Sequence, residues 1–236
     1  MNIIQNYWNN LDAKLEILLK EGAVKLPSLK VFDLEKIAKQ INDKVGTSTF
    51  IENLSYHKIF LENLQIDDYL TPKLLDIAKK YFNYRGDILN QYHVVRKVNP
   101  GDLNEQYRVH FDSHLFTLVC PIKIPKSLSK NFAGQLVYFP NARNIPKNEF
   151  INLIGKIYYK KYASEKGLKN LSNLFFKKIE DFNNYEPILF LGKTTLHTNY
   201  PVSSDCTSYR LTLLSHFFDD SSKYSVGGLL RFLRNR

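Results

Sequence analysis

Apolar residues recur with the period of a helix over the first ninety positions and with the character of strands from Asn90 onward. Leu11, Leu15, Leu18 and Leu19 mark a helix over residues 8–20, and Gly22 stands where a C-cap glycine belongs. Residues 23–27, Ala-Val-Lys-Leu-Pro, predict a short edge strand, because proline has no ladder donor. Asp33 is placed to cap a second helix with Leu34, Ile37, Ala38 and Ile41 on one face. Residues 50–63 fit neither period. Thr71-Pro72 reads as a cap followed by proline at the first helical position, with Leu74, Ile77, Ala78 and Tyr81 as the apolar stripe.

Gln91–Val98 is rich in β-branched and aromatic residues, and Asn99-Pro-Gly-Asp102 supplies turn chemistry. Further strands are expected over 115–122, 134–140, 187–191 and 208–218, with a loop running on from Pro121 to Asn131. Residues 148–182 interrupt them with two helices separated near Gly167. The pattern predicts a mainly β protein with flanking helices: a double-stranded β-helix, or cupin-like jelly roll, with N-terminal helices and a helical insert. Without an internal repeat, a low-complexity tract or a linker, residues 1–236 read as one domain. It comprises a helical lead-in (1–89), a jelly-roll core (90–218, with the insert at about 148–182) and a C-terminal tail (219–236).

Candidate chemistry concentrates in Tyr107-Arg-Val-His-Phe-Asp-Ser-His114. On an extended strand end, alternate side chains share a face, so His110 and Asp112 aim an imidazole and a carboxylate at one point. His197, far downstream, supplies a third donor. Two histidines and one carboxylate make the facial set of non-haem Fe(II) oxygenases. Arg210 lies among Leu211, Leu213 and Leu214, where a charge needs a partner, and Thr212 shares its face. His114 could compete with Asp112 for the metal, although three imidazoles suit zinc better; contact with substrate or with the ligands is the preferred role. Arg96, Tyr92 and Gln91 lie on a neighbouring strand, where each could position cosubstrate or substrate or be structural.

The ordered set His110-x-Asp112, a long gap, His197, then Arg210-x-Thr212 resembles the Fe(II)/2-oxoglutarate-dependent dioxygenases, and more loosely their phytanoyl-CoA-hydroxylase-like branch. The resemblance covers roughly residues 90–218. It implies Fe(II) held by His110, Asp112 and His197, and 2-oxoglutarate as cosubstrate, its distal carboxylate on Arg210 and Thr212 with Arg96 as a further candidate. It also implies O₂ as co-reactant and hydroxylation of a small molecule with release of succinate and CO₂. Halogenating relatives carry a small residue where Asp112 stands, so hydroxylation is the expected chemistry. Two other readings stay open: a cupin-type metal enzyme that does without 2-oxoglutarate, and a non-enzymatic basic module that binds nucleic acid or lipid.

Composition narrows these readings. With 44% hydrophobic and 14% aromatic residues, the chain can build a core and is not a disordered segment. Two cysteines, Cys120 and Cys206, do not make a disulfide framework and fit a reducing compartment. The N-terminus lacks the basic and apolar regions of a signal peptide, and no run of eighteen apolar residues occurs, so a cytoplasmic location is expected. The formal charge of +10 follows from a lysine-biased composition. No RNA-binding strand motif or zinc finger accompanies it, and no nucleic-acid partner is expected. Lys156, Lys160, Lys161, Lys166, Lys169, Lys177 and Lys178 crowd the insert. They form a solvated face or, if the insert folds over the barrel mouth, favour an anionic substrate. The tail mixes Leu229, Leu230 and Phe232 with Arg231 and Arg234. It is expected to dock onto the domain, with weak contact to an acidic membrane surface as the alternative.

Overall fold

The computed structural model describes residues 3–45, 50–51, 63–102, 106–129, 132–146 and 149–219, with backbone alone at 45, 50–51, 149–150, 152–153 and 156. Most of the ambiguous stretch at 50–63 and all but the first residue of the tail lie outside the described residues.

The described residues of the lead-in include the helices α1 (Ile3–Trp8), α2 (Leu11–Glu21), α3 (Leu34–Val45) and α4 (Ile66–Phe82). The helix expected over 8–20 is divided at Asn9-Asn10, with Trp8 donating its indole N–H to the Leu64 carbonyl at 2.8 Å. Gly22 ends α2 at φ 79°, its N–H bonded to the Leu18 carbonyl. Asp33 caps α3 by accepting from the Lys36 N–H at 3.0 Å. Helix α4 corrects the expectation at Thr71-Pro72: the helix begins six residues before Pro72, at Ile66, and Pro72 lies inside it. Interior proline costs about 3 kcal/mol. Burying Ile66 and Leu70, which extend the Leu74–Ala78 stripe upstream, offsets this at about 1.5–3 kcal/mol per side chain.

The strands are β1 (Ala23–Lys25), β2 (Phe50–Ile51), β3 (Gln91–Val98), β4 (His114–Lys123), β5 (Leu136–Phe139), β6 (Lys178–Glu180), β7 (Ile188–Leu191), β8 (Leu196–Asn199) and β9 (Arg210–Asp219). They form a six-stranded sheet, β1-β7-β4-β9-β3-β2, and a three-stranded sheet, β6-β5-β8. Every pairing is antiparallel. As its proline suggested, the strand at 23–25 lies at an edge.

Alternation divides these strands between two environments. On the large sheet, Phe116, Leu118, Cys120, Leu211, Leu213 and Phe217 pack outward under α2, α3 and α4. The opposite face carries Val119, Ile188, Phe190 and Leu214, which meet Leu136 and Tyr138 of the small sheet. Alternation breaks in β4 and in β9: Leu115 and Phe116 both enter the outer core, as do Phe217 and Phe218, with Phe218 at φ 62°. His114 is thereby turned to the inner side, where it stacks on Tyr92 and lies against His216.

The insert contains α5 (Glu149–Tyr159), a 3-10 turn (Lys160–Tyr162) and α6 (Glu165–Ser172). The break falls at Ala163-Ser164, not at Gly167, because the Ser164 hydroxyl caps α6 by accepting from the Gly167 N–H. Leu168 and Leu171 pack with Val137, Phe139 and Leu196. These are the outward positions of β5 and β8, so the insert lies on the outer face of the small sheet, away from His197. A lid over the barrel mouth is not what it forms. No described helix is long and apolar enough to cross a membrane. Both cysteines are free and buried.

His93, on the outer side of β3, is 7% exposed and hydrogen-bonded to Ser215 at 3.0 Å. Burial pushes its imidazole down to about 4 from the usual 6.5, and Asp67 offsets this only in part. The folded protein therefore refuses a proton that the unfolded chain accepts below pH 6.5, and stability falls as the pH drops from 6.5 towards 4. By pH 4.5 this one group should cost about 2 kcal/mol. Urea unfolding at pH 7 and pH 4.5 is expected to show a smaller acid loss in His93→Gln than in the parent; equal losses would contradict the assignment.

Candidate metal centre

His110, Asp112 and His197 converge between the two sheets, their ligating atoms all within 4.8 Å of one another. His110 Nε2 lies 3.6 Å from Asp112 Oδ1, and His197 Nε2 lies 3.7 Å from Asp112 Oδ2. His197 comes from the inner face of β8. His110 and Asp112 do not sit on a strand end, as their spacing suggested, but in the irregular segment before β4. A single antiparallel bridge joins His110 to His197 through two reciprocal backbone hydrogen bonds of 3.0 Å. Phe111, between the two ligands, points the other way and is fully buried, with the Arg143 guanidinium over its ring and Tyr159 against its edge. The insert thus backs the ligand segment from behind.

Each imidazole is oriented by its other nitrogen. His110 Nδ1 lies 2.6 Å from the Arg108 carbonyl, and His197 Nδ1 lies 3.2 Å from that of Thr195. A carbonyl only accepts, so both Nδ1 atoms carry the proton and both Nε2 lone pairs face Asp112. Burial, together with the neighbouring His197, holds His110 well below the ordinary histidine range, leaving its lone pair available at neutral pH. Its side chain is nonetheless 38% exposed, against 10% for His197. His110 therefore stands at the wall of an opening. Burial alone would raise Asp112, but His197, His216 and His110, with the Thr117 hydrogen bond, hold it far below the usual carboxylate range. Two imidazoles and a carboxylate form a donor set suited to Fe(II).

Three residues that the sequence did not single out, Thr117, His216 and Gly192, complete the surroundings. Thr117 donates its hydroxyl proton to Asp112 Oδ2 at 2.6 Å, so it can only accept from His216 Nδ1, 3.0 Å away. The chain His216 to Thr117 to Asp112 fixes the carboxylate. Gly192 supports it from the other side, accepting from the Asp112 N–H at 3.0 Å. A Cβ there would lie 2.6 Å from the His114 carbonyl and 3.0 Å from Asp112 Cβ. His114 is not among the clustered ligands; it belongs to the Tyr92–His114–His216 ring stack beside them.

Arg210 and Thr212 begin β9 on the same inner face as His216. Arg210 is 2% exposed and donates through Nη1 to the Gly134 carbonyl. Gly134 adopts φ 78°, and a Cβ there would meet Arg210 Cδ at 2.9 Å. Arg96 lies directly across from Thr212 in the β3–β9 register, and its positive charge helps keep His110 unprotonated. Tyr92 faces the same space. Gln91 does not: it turns outward and donates to Asp67 of α4.

No protein-family model and no curated protein matches the sequence. Among solved structures, a prolyl-4-hydroxylase from Pseudomonas putida is similar at TM-score 0.52 and 13% identity, over 88% of this chain and 97% of that one. SnoK, a non-haem α-ketoglutarate-dependent carbocyclase from nogalamycin biosynthesis, is similar at 0.52 and 11%, over 93% and 90%. A prolyl hydroxylase from Trichoplax adhaerens, solved with a hypoxia inducible factor peptide, is similar at 0.52 and 11%, over 94% and 96%. These likenesses show the fold: the chain shares it with the two prolyl hydroxylases and with SnoK.

Proposed function

We propose that this chain is an Fe(II)/2-oxoglutarate-dependent oxygenase that hydroxylates a small-molecule substrate, converting 2-oxoglutarate to succinate and CO₂. The observation that carries the reading is the orientation of His110 and His197, whose Nε2 lone pairs meet the Asp112 carboxylate within 4.8 Å. Iron, when bound, supplies the redox chemistry that couples decarboxylation of the keto acid to oxidation of a C–H bond. The chain's own residues hold and orient. Arg210 and Thr212 would take the distal carboxylate of 2-oxoglutarate, the guanidinium by a charge-assisted hydrogen-bonded clamp and the hydroxyl by one further donor. Arg96, opposite Thr212, extends this basic lining. With two guanidiniums and one carboxylate on these inward positions, the space favours an anionic substrate.

A cupin-type metal enzyme without 2-oxoglutarate would not need a buried arginine and a threonine side by side on the inner face. The test is succinate formation by the purified protein supplied with Fe(II), 2-oxoglutarate and O₂, with no other substrate. Slow turnover that stops under nitrogen or with a chelator is the expected result. Stoichiometric Fe(II) binding without any succinate would leave the cupin-type reading in its place.

A further inference from the structure

Among the described side chains of helix α5, the isoleucines stand on the side turned to solvent. Gly155 and Tyr159 face the protein: Gly155 abuts Arg143, and the Tyr159 ring packs on Phe111. The face turned to solvent holds Ile151, Ile154, Ile157 and Tyr158, which fall within about a third of a turn at 3.6 residues per turn. Leu174 and Phe176 project from the segment after α6, and the intervening Phe175 packs against Tyr159, which brings them to the same end of the insert. These six side chains are between 46% and 73% exposed. A cluster of this kind marks a contact surface.

Its charged surroundings indicate what it meets. Lys160, Lys161, Lys166 and Lys169 are exposed on the turn and on α6. Lys161 Nζ sits 3.6 Å from the Tyr158 ring centroid, a basic group laid on an aromatic one at the edge of the apolar face. Residues 149–178 hold seven lysines and two glutamates, a net +5 against +10 for the whole chain. Eleven residues of helix span about 16 Å, too short to cross a bilayer of about 30 Å. An isoleucine face with a tyrosine at its border and lysines around it, on a short helix, suits burial in the headgroup region of an anionic membrane.

We propose that the outer face of α5, with Leu174 and Phe176, is a peripheral docking surface for an anionic lipid bilayer. Isoleucine and phenylalanine enter the boundary between headgroups and acyl chains, and the lysines meet lipid phosphates and carboxylates. The surface is separate from the metal centre and does not depend on the proposed activity.

The test is co-sedimentation of the full chain with vesicles of phosphatidylcholine alone or of equimolar phosphatidylserine and phosphatidylcholine. Binding is expected to the anionic vesicles only and to weaken as salt is raised. Ile154→Ser/Ile157→Ser should lower vesicle affinity by about tenfold or more, and Lys160→Glu/Lys161→Glu should lower it by a similar factor. All four positions are exposed, and circular dichroism checks that both variants keep the parent's fold. Undiminished binding by the isoleucine variant would overturn the proposal, as would equal binding to neutral vesicles. Absence of vesicle binding would overturn it too, and concentration-dependent self-association in sedimentation velocity would then assign the face to a second copy of this chain.

Discussion

His197→Ala is expected to abolish Fe(II) binding while leaving the fold in place. The ring contributes one of the three ligands clustered among the described residues, and it lies against Phe190, at 4.8 Å between centroids, and His110, at 4.3 Å. The strand that carries it is held by backbone pairing to β5, which the substitution does not touch. His110→Ala should behave alike. His216→Ala is the informative contrast: it keeps all three ligands and removes the donor behind Thr117 together with one ring of the stack with Tyr92 and His114, so metal affinity should drop by about 10- to 100-fold and not vanish. Metal content after dialysis, read beside thermal unfolding, separates the cases. Unchanged iron stoichiometry in both ligand variants would rule out the assignment.

Arg210→Ala should retain Fe(II) and lose the cosubstrate. Hydrogen bonds to charged groups contribute about 1.5–3 kcal/mol each, so removing a two-bond clamp should raise the 2-oxoglutarate requirement about a hundredfold or more. The guanidinium is already positioned before any cosubstrate arrives, by its bond to Gly134 and by a burial that leaves 2% of the residue exposed. Lysine at this position should recover only part of the loss, since an ammonium cannot reproduce the planar fork. Thr212→Ala should cost less, on the order of one hydrogen bond. The readout is the 2-oxoglutarate concentration giving half-maximal succinate formation without substrate. If Arg210→Ala leaves it unchanged, the carboxylate is held elsewhere, and Arg96 across the strand pair is the next residue to test.

What the sequence disclosed depended on whether a residue's role is local. Strand β3 was legible to the residue because β-branched side chains and the Asn99-Pro-Gly turn delimit it. Gly22 and Asp33 were legible as caps because capping is decided within four residues. The His110, Asp112, His197, Arg210 and Thr212 set could be picked out by its order along the chain. Thr117 and His216 could not, since nothing local distinguishes a threonine and a histidine in strands from ordinary β positions. Their meaning arises only when β4 and β9 pair Thr117 opposite His216. Pro72 misled for the converse reason: its local signal is strong, but the burial of Ile66 and Leu70 decides where α4 begins. The lysines of the insert gave charge without direction, and only Phe111, Leu168 and Leu171 show which side of the sheet the insert covers.

The paired backbone hydrogen bonds between His110 and His197 bear on which metal the proposed site would carry. Because the two imidazoles are bridged through their own main chains, and their Nδ1 protons are already committed to carbonyls, the chelate is assembled before an ion arrives. Two imidazoles and a carboxylate discriminate weakly among first-row divalent ions by donor type, so affinity follows the intrinsic order of those metals. Cobalt, nickel and copper stand above Fe(II) in that order, and copper also above zinc. Iron occupancy is then governed by the surrounding metal pool rather than by the fold, and protein exposed to a nickel resin would hold an ion that fits the site without supporting oxidation.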